Sequence, residues 1–332
     1  MWQQYLYFDG NGSHPYFVYT PASYRVTLPV PLVVMLHGCT QTAEDFATGT
    51  SMNLLAEQHG FVVLYPQQTS ASNSNLCWNW FLPAHQQRGY GEPARIVGMI
   101  KSLRRIIAHW KFDPARIYVA GLSAGACMAV ILGVTYPDLF AAIGVHSGLE
   151  YQAAMDVKNA FQAMRHGGPD PQQQGCAAYN AMSDFSRVVP TTVFHGTGDM
   201  TVSSVNGDQV VQQWMQTNRL ASCYAYAAHF EHPTSAMPGQ VSNGYSYVVA
   251  TWAASNGDEV QSYWKIGGMG HGWSGGNPVG SYTDPQGPNA SEAMFKFFMA
   301  HPMKREDRQS IISQKIRRHH TLTIRSHLRR RR

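Results

Sequence analysis

With 332 residues, 44% of them hydrophobic and 14% charged, the chain has the composition of one large globular domain or two ordinary ones, and disorder throughout is excluded. Its longest apolar stretches, such as Pro31 to Leu36 and Phe61 to Leu64, fall far short of the roughly 20 residues a membrane-spanning helix needs, so a soluble protein without a membrane span is expected. The formal charge of +5 is unevenly placed: residues 304–332 hold 11 of the 25 basic residues against Glu306 and Asp307, a net of +9, leaving the first 303 residues at −4.

The opening residues, Met1 to Tyr5, offer neither a positive start nor an apolar run, so no secretory signal is expected. From there, short apolar runs alternate with segments of helical period. The runs are 31–36, 61–65, 116–120, 141–145, 191–195 and 262–266, and their continuous apolarity suits strands buried on both faces of a parallel sheet. Thr42 and Asp45 resemble a capping pair for a first helix that Gly60 would end. Residues 94–110, opened by Pro93, place Ile96, Ile100, Leu103, Ile107 and Trp110 on one stripe, away from Lys101, Arg104 and Arg105. A further helix follows Ser123, carrying Met128, Ala129, Ile131 and Leu132, and Pro137 stops it. Two more surround Val210, Val211, Trp214 and Met215, and Met294, Phe295, Phe297 and Phe298.

This rhythm predicts an α/β class, a mostly parallel doubly wound sheet with helices on both faces, over residues 1–303. Residues 150–188 break it. Their Gly167-Gly168-Pro169-Asp170-Pro171 cluster predicts an excursion over the sheet edge that shapes a cleft. Residues 304–332 end in Arg329 to Arg332. A nucleic-acid arm is one reading of such a charge run, but a solvated, mostly disordered extension is the expectation, with no nucleic-acid partner for the core.

The strand at 116–120 leads into Gly121-Leu122-Ser123-Ala124-Gly125 and then a helix. In a strand-to-helix turn this tight, a Cβ two residues either side of the serine would collide with neighbouring backbone, which is why glycine occupies both places. A serine so placed is a candidate nucleophile. It needs a histidine base and an orienting carboxylate, in the chain order serine, acid, histidine. Asp199 follows the strand 191–195, and His271 follows 262–266 after a glycine-rich bend. Asp184 and Asp208 are worse placed, before the strand and within the next helix, as are His195, inside a strand, and His229 and His232. The oxyanion formed in acyl transfer needs amide donors. The amides expected are those of Ala124 and, after the strand 31–36, Cys39, with Thr40 as the alternative.

These residues sit in PLVVMLHGCTQTA (31–43), CWNWF (77–81), VAGLSAGACMA (119–129), HGTGD (195–199) and GMGHGWSGGNPVGSYTDPQGP (268–288). On them the chain resembles the poly(3-hydroxybutyrate) depolymerase family of α/β-hydrolase esterases, with its feruloyl-esterase-like members. The resemblance implies an α/β-hydrolase fold, a triad of Ser123, Asp199 and His271, and a disulfide joining Cys39 to Cys77. Such a bridge favours secretion, against the missing signal. Thr40, Trp80 and Trp273 are the expected substrate contacts, and Trp78 and Phe81 are expected to be structural. The expected activity is a serine carboxylester hydrolase acting on hydroxyalkanoate polyester or oligoester bonds. A feruloyl or acetyl carbohydrate esterase and an acyltransferase are the alternatives on the same triad. No metal or other cofactor is expected, and a monomer is. The pairing of Cys127, Cys176 and Cys223 stays open.

Overall fold

The structure, a computed structural model, describes residues 1–10, 12–106 and 111–309, and side chains within this set except those of 104–106. In chain order come β1 (Trp2–Asp9), β2 (Gly12–Tyr19), β3 (Val30–Leu36), α1 (Ala43–Thr50), α2 (Met52–His59), β4 (Val62–Pro66), α3 (Gly91–Ile106), β5 (Phe112–Leu122), α4 (Ala124–Thr135) and β6 (Ile143–His146). Then follow α5 (Val157–His166), α6 (Pro171–Met182), β7 (Thr191–Gly196), α7 (Val205–Ala221), β8 (Ser235–Gln240), β9 (Ser246–Ala253), β10 (Glu259–Ile266), β11 (Trp273–Ser274), β12 (Thr283–Asp284) and α8 (Ala290–Ala300).

The main sheet runs β1-β2-β4-β3-β5-β6-β7-β10-β9-β8. Its centre, β4 to β10, is parallel, and antiparallel pairs close both edges. Along the central strands successive side chains enter different cores. Leu32, Val34, Leu36, Ile117 and Val119 meet α3, α4 and α7, whereas Val33, Met35, Tyr118 and Ala120 meet α1, α2 and α8. Both faces are buried, which is why these strands read as unbroken apolar runs. Helix α4 is buried at every position from Ala124 to Thr135, so it has no polar face to mark it as amphipathic.

Several boundaries differ from expectation. The first helix is two: the Thr42 side chain caps α1 by accepting from the Asp45 amide at 3.1 Å, but Ser51 turns left-handed (φ 53°) and α2 starts anew before Gly60 (φ 72°). Helix α3 starts at Gly91, ahead of Pro93, and buries Ile96, Ile100 and Leu103, while Ile107 and Trp110 lie outside the described residues. Residues 150–188 hold two helices, capped by Asp156 and Asp170, that pack on α7 and α4 rather than over the sheet edge. The edge strands β1, β2, β8 and β9 lie outside the expected runs; burial along β1, β2 and β9 is alternating or partial, and β8 contains Pro238. In the basic tail, residues 305–309 are helical and Lys304 pairs with Asp258 at 2.8 Å, so that part is not the expected disordered extension. The tail's remainder, 310–332, lies outside the described residues.

Strand order places the chemistry. From β3 the chain moves outward to β4 and crosses back to β5, which lies on β3's other side. The crevice at such a reversal, beyond the carboxyl ends of the strands, is where open α/β sheets bind ligands. Here the loop after β3 and the serine after β5 flank it.

Just past β6, Glu150 is 3% exposed, and neither carboxyl oxygen has a hydrogen-bond partner among the described residues. Burial, reinforced by the charge of Asp170, pushes its pKa up to about 9. An acid whose pKa is raised by folding releases its proton first from the unfolded chain. Stability should therefore fall as pH rises from the ordinary value of 4.5 toward about 9, then level off. Melting temperatures across this range should slope downward in the wild type and less steeply in Glu150→Gln, and parallel curves for the two proteins would contradict the assignment.

Candidate active site

Ser123 joins β5 to α4 at φ 57° and ψ −121°, a conformation that L side chains rarely adopt, and its amide donates to the His146 carbonyl at 2.9 Å. A Cβ on Gly121 would stand 2.4 Å from the Gly125 carbonyl carbon, and one on Gly125 would stand 2.1 Å from the Leu36 carbonyl oxygen. The second contact presses the first turn of α4 against the end of β3, so the next loop begins beside the serine.

In that loop a Cβ on Gly38 would lie 3.5 Å from the Ser123 Cβ. The Thr40 amide is spent on the Asn75 carbonyl at 2.7 Å, which leaves Cys39 as the loop's candidate oxyanion donor beside the Ala124 amide at the head of α4. Gln41 braces the loop, its side-chain oxygen accepting from the Gly38 amide at 2.8 Å while its nitrogen donates to the Ser281 carbonyl at 2.9 Å. His37 lies beneath. Its Nδ1 donates to the Gly38 carbonyl at 2.7 Å and its Nε2 accepts from the Gln68 amide at 3.1 Å, a neutral pattern that agrees with burial pushing its pKa down to about 4.

Cys39 is disulfide-bonded to Cys77. The segment around Cys77 is gathered by the buried carboxylate of Glu92, which accepts from the Asn79 amide at 2.7 Å, the Asn79 side chain at 2.7 Å and the Gln68 side chain at 2.5 Å. The Trp78 indole donates to the His37 carbonyl at 3.0 Å. Glu92, Gln68 and Gln41 thus support the site without having been singled out from sequence. Only Gln41 falls within a quoted motif, and nothing local ties Glu92, in the first turn of α3, to a loop a dozen residues upstream. Cys127 is free and buried; Cys176 and Cys223 are free and exposed.

Across the crevice, the loops after β7 and β10 are bonded to each other. The Thr197 amide donates to Ile266 O at 2.8 Å, the Gly198 amide to Met269 O at 3.0 Å, and the Gly268 amide to Thr197 Oγ1 at 2.8 Å. A Cβ on Gly196 would stand 2.1 Å from the Met269 carbonyl oxygen, so this approach needs glycine. It brings Asp199 and His271 together, with Nδ1 2.7 Å from Oδ2. The other carboxylate oxygen, Oδ1, accepts from the amides of Thr201 at 2.9 Å and Val202 at 2.8 Å. Burial would raise the pKa of Asp199, but hydrogen bonds from His195, His271 and Val202 outweigh it and hold the carboxyl below the usual range.

The competing residues are engaged elsewhere. Asp208 in α7 accepts from Tyr263 and Lys265, Asp184 lies in a short 3₁₀ turn ahead of β7, and His229 and His232 face one another with ring centroids 5.0 Å apart. The tryptophan expectation needs correction. Trp273 is 1% exposed, stacked on His146 and edge-on to Phe46, with its indole donating to Ser291 Oγ at 3.0 Å, and Trp80 is 5% exposed against Phe81. Both are core residues, where their large apolar area is better used. At the mouth stand Thr40, exposed, and Tyr282, whose hydroxyl is 3.3 Å from Thr40 Oγ1 and whose ring stands nearly perpendicular to that of His271.

Residues 15–229 match the family described as Esterase PHB depolymerase. Poly(3-hydroxyalkanoate) depolymerase C of Paucimonas lemoignei is 36% identical over 245 residues, 73% of this chain and 55% of that protein. Feruloyl esterase B of Neurospora crassa is 25% identical over 299 residues, 86% of this chain and 89% of that protein. Among solved structures, the acetyl xylan esterase from Aspergillus awamori aligns with a TM-score of 0.69 at 21% identity, covering 90% of this chain and 99% of that one. That likeness carries the fold, an α/β-hydrolase. The chain spans little more than half the length of the depolymerase it matches, and by its matched region and its identity to that relative it belongs to the Esterase PHB depolymerase family.

Proposed function

We propose that the chain is a serine carboxylester hydrolase acting through Ser123, Asp199 and His271 on hydroxyalkanoate-type polyester or oligoester bonds. The observation that carries this is the Asp199–His271 hydrogen bond, which commits the histidine's Nδ1 to the carboxylate and leaves Nε2 free as a base. Nε2 takes the proton of Ser123 as Oγ attacks the ester carbonyl, and the tetrahedral oxyanion is held by the amides of Cys39 and Ala124. The tetrahedral intermediate collapses as His271 returns the proton to the departing alcohol. Water, activated by the same histidine, then releases the acid. Ionised Asp199 stabilises the imidazolium formed twice in this cycle.

The polyester reading rests on the Paucimonas lemoignei relative, with its higher identity. A carbohydrate-ester reading has its own support: the Neurospora crassa feruloyl esterase matches over nearly its whole length, without the long unmatched portion of the depolymerase. Turnover of 3-hydroxybutyrate oligomers and amorphous polymer, compared with methyl ferulate and acetylated xylan, separates the two. Added alcohol acceptors would expose acyl transfer.

Ser123→Ala should lower ester turnover by at least about a thousandfold with an unchanged melting temperature. Adding His271→Ala or Asp199→Asn to it should cost little more, because triad members act as a unit. Substantial activity in Ser123→Ala would defeat the mechanism.

The disulfide closes a separation of 38 residues, and chain-entropy arithmetic puts its stabilisation at about 3 to 4 kcal/mol. It tethers the residue whose amide is the oxyanion donor. In Cys39→Ser/Cys77→Ser, kcat should fall even at temperatures where the protein stays folded, since such donors must be held within about 0.5 Å. Digestion and mass spectrometry with and without reductant check the bridge itself, which fits an oxidising compartment. Two free thiols in active enzyme would reject both.

A further inference from the structure

Beside the triad carboxylate lies a second histidine that the mechanism does not use. His195, on β7, has a wholly buried side chain, as does Asp199 four residues later. Its Nε2 donates to the Val202 carbonyl at 2.9 Å and lies 3.5 Å from Asp199 Oδ2, the oxygen that binds His271. Val202 in turn donates its amide to Asp199 Oδ1. The ring of contacts through His195, Asp199 and Val202 therefore grips both sides of the carboxylate.

The opposite nitrogen, Nδ1, is buried and without a hydrogen-bond partner among the described residues. It faces Gly207 in α7, where a Cβ would stand 2.8 Å from Nδ1 and 2.6 Å from the Tyr263 hydroxyl. An apolar side chain would fill this site without stranding an acceptor, so packing alone does not account for the imidazole. With a carbonyl, Val202 O, as the partner of Nε2 and none for Nδ1, the contacts place the N–H on Nε2, the nitrogen facing Asp199 and Val202.

We propose that His195 is a positioning residue for catalysis: its Nε2–H, seated between the Val202 carbonyl and Asp199, fixes the plane of the carboxylate that orients His271. This rests on the esterase reading above. The titratable groups facing His195 are Asp199 on its own loop, His271 after β10, His146 on β6, and Tyr263 with its partners Asp208 and Lys265 on β10 and α7. Losing the Nε2–H leaves the Asp199–His271 pair with one donor fewer, so the pair holds a proton more tightly and the acid limb of activity moves to higher pH.

The full chain in three variants tests this, with kcat, KM and the pH profile measured on a soluble ester and the low-field proton resonance of His271 Nδ1–H recorded by NMR. His195→Leu should lower kcat about 10- to 100-fold, the cost of a slightly misplaced catalytic group, leave KM within about twofold, raise the acid limb and shift the resonance. His195→Gln, which keeps a donor, should recover most of each. Gly207→Ala, a change that favours a helix, should push on the imidazole and displace the limb and the resonance in milder form. An unchanged limb and resonance in His195→Leu would overturn the proposal, as would a kcat loss that His195→Gln fails to rescue in a folded protein. Should His195→Leu not fold, His195→Gln and Gly207→Ala decide by the same readouts. The resonance reads the His271–Asp199 bond without turnover, so a wild type inactive on esters would strike the esterase reading and leave the NMR comparison to decide this one.

Discussion

Backbone pressed on backbone without an intervening side chain is the contact that the site depends on. At the carboxyl edge of the sheet it joins two pairs of loops. Gly125 lets α4 start against the carbonyl of Leu36, joining the serine turn to the loop after β3, and Gly196 lets the β7 loop meet the carbonyl of Met269, joining Asp199 to the loop of His271. In each case adjacent parallel strands bring two loops to the same height, and glycine removes the last few ångströms between them. A methyl group at either place would collide with carbonyl oxygen at 2.1 Å, a separation that no rotamer change relieves.

Around these contacts the interior spends its polar groups on holding loops. Glu92 gathers the Cys77 segment, Gln41 spans from Gly38 to Ser281, and His37 bridges Gly38 and Gln68. His146, stacked on Trp273 and Phe194, accepts the Ser274 amide at 3.0 Å; burial, with the nearby His195 and His271, drives its pKa well down, which keeps the accepting nitrogen unprotonated. Each of these groups is satisfied by a specific backbone partner, and a fully satisfied buried network is one that rigidifies rather than destabilises.

How much of this could be read beforehand depended on what each feature requires of the chain. The central strands were legible because two buried faces leave an unbroken apolar run, and the serine turn because its geometry demands glycine at two places. Asp199 and His271 followed from position, each just beyond such a run. Trp80 and Trp273 were misread because an aromatic ring near a nucleophile in sequence carries no sign of which way it faces, and both turn inward. Glu92 and Gln68 left no trace, since their partners are set by how loops cross. The edge strands differ: antiparallel and half-solvated, they bury only some of their positions, and their short runs, such as Tyr16 to Tyr19 and Tyr247 to Ala250, are not among those expected as strands.

The stretch 273–288 closes the site into a ring. Its backbone leaves the His271 loop, donates from Trp273 to Tyr282 at 2.7 Å, and pairs as β11 with β12. It then meets α1 at close range, where the Asn277 amide reaches the Gly49 carbonyl at 2.8 Å and a Cβ on Gly280 would stand 2.4 Å from the Gly49 Cα. Ser281 is bound by both Asp45 and Gln41, and Gln41 holds Gly38. The His271 loop and the loop after β3 are therefore joined twice, through the sheet beneath and across this strap above. Tyr282 is carried by the same segment to the mouth, beside Thr40. The strap thus links the two loops that flank the crevice to the contact between Thr40 and Tyr282.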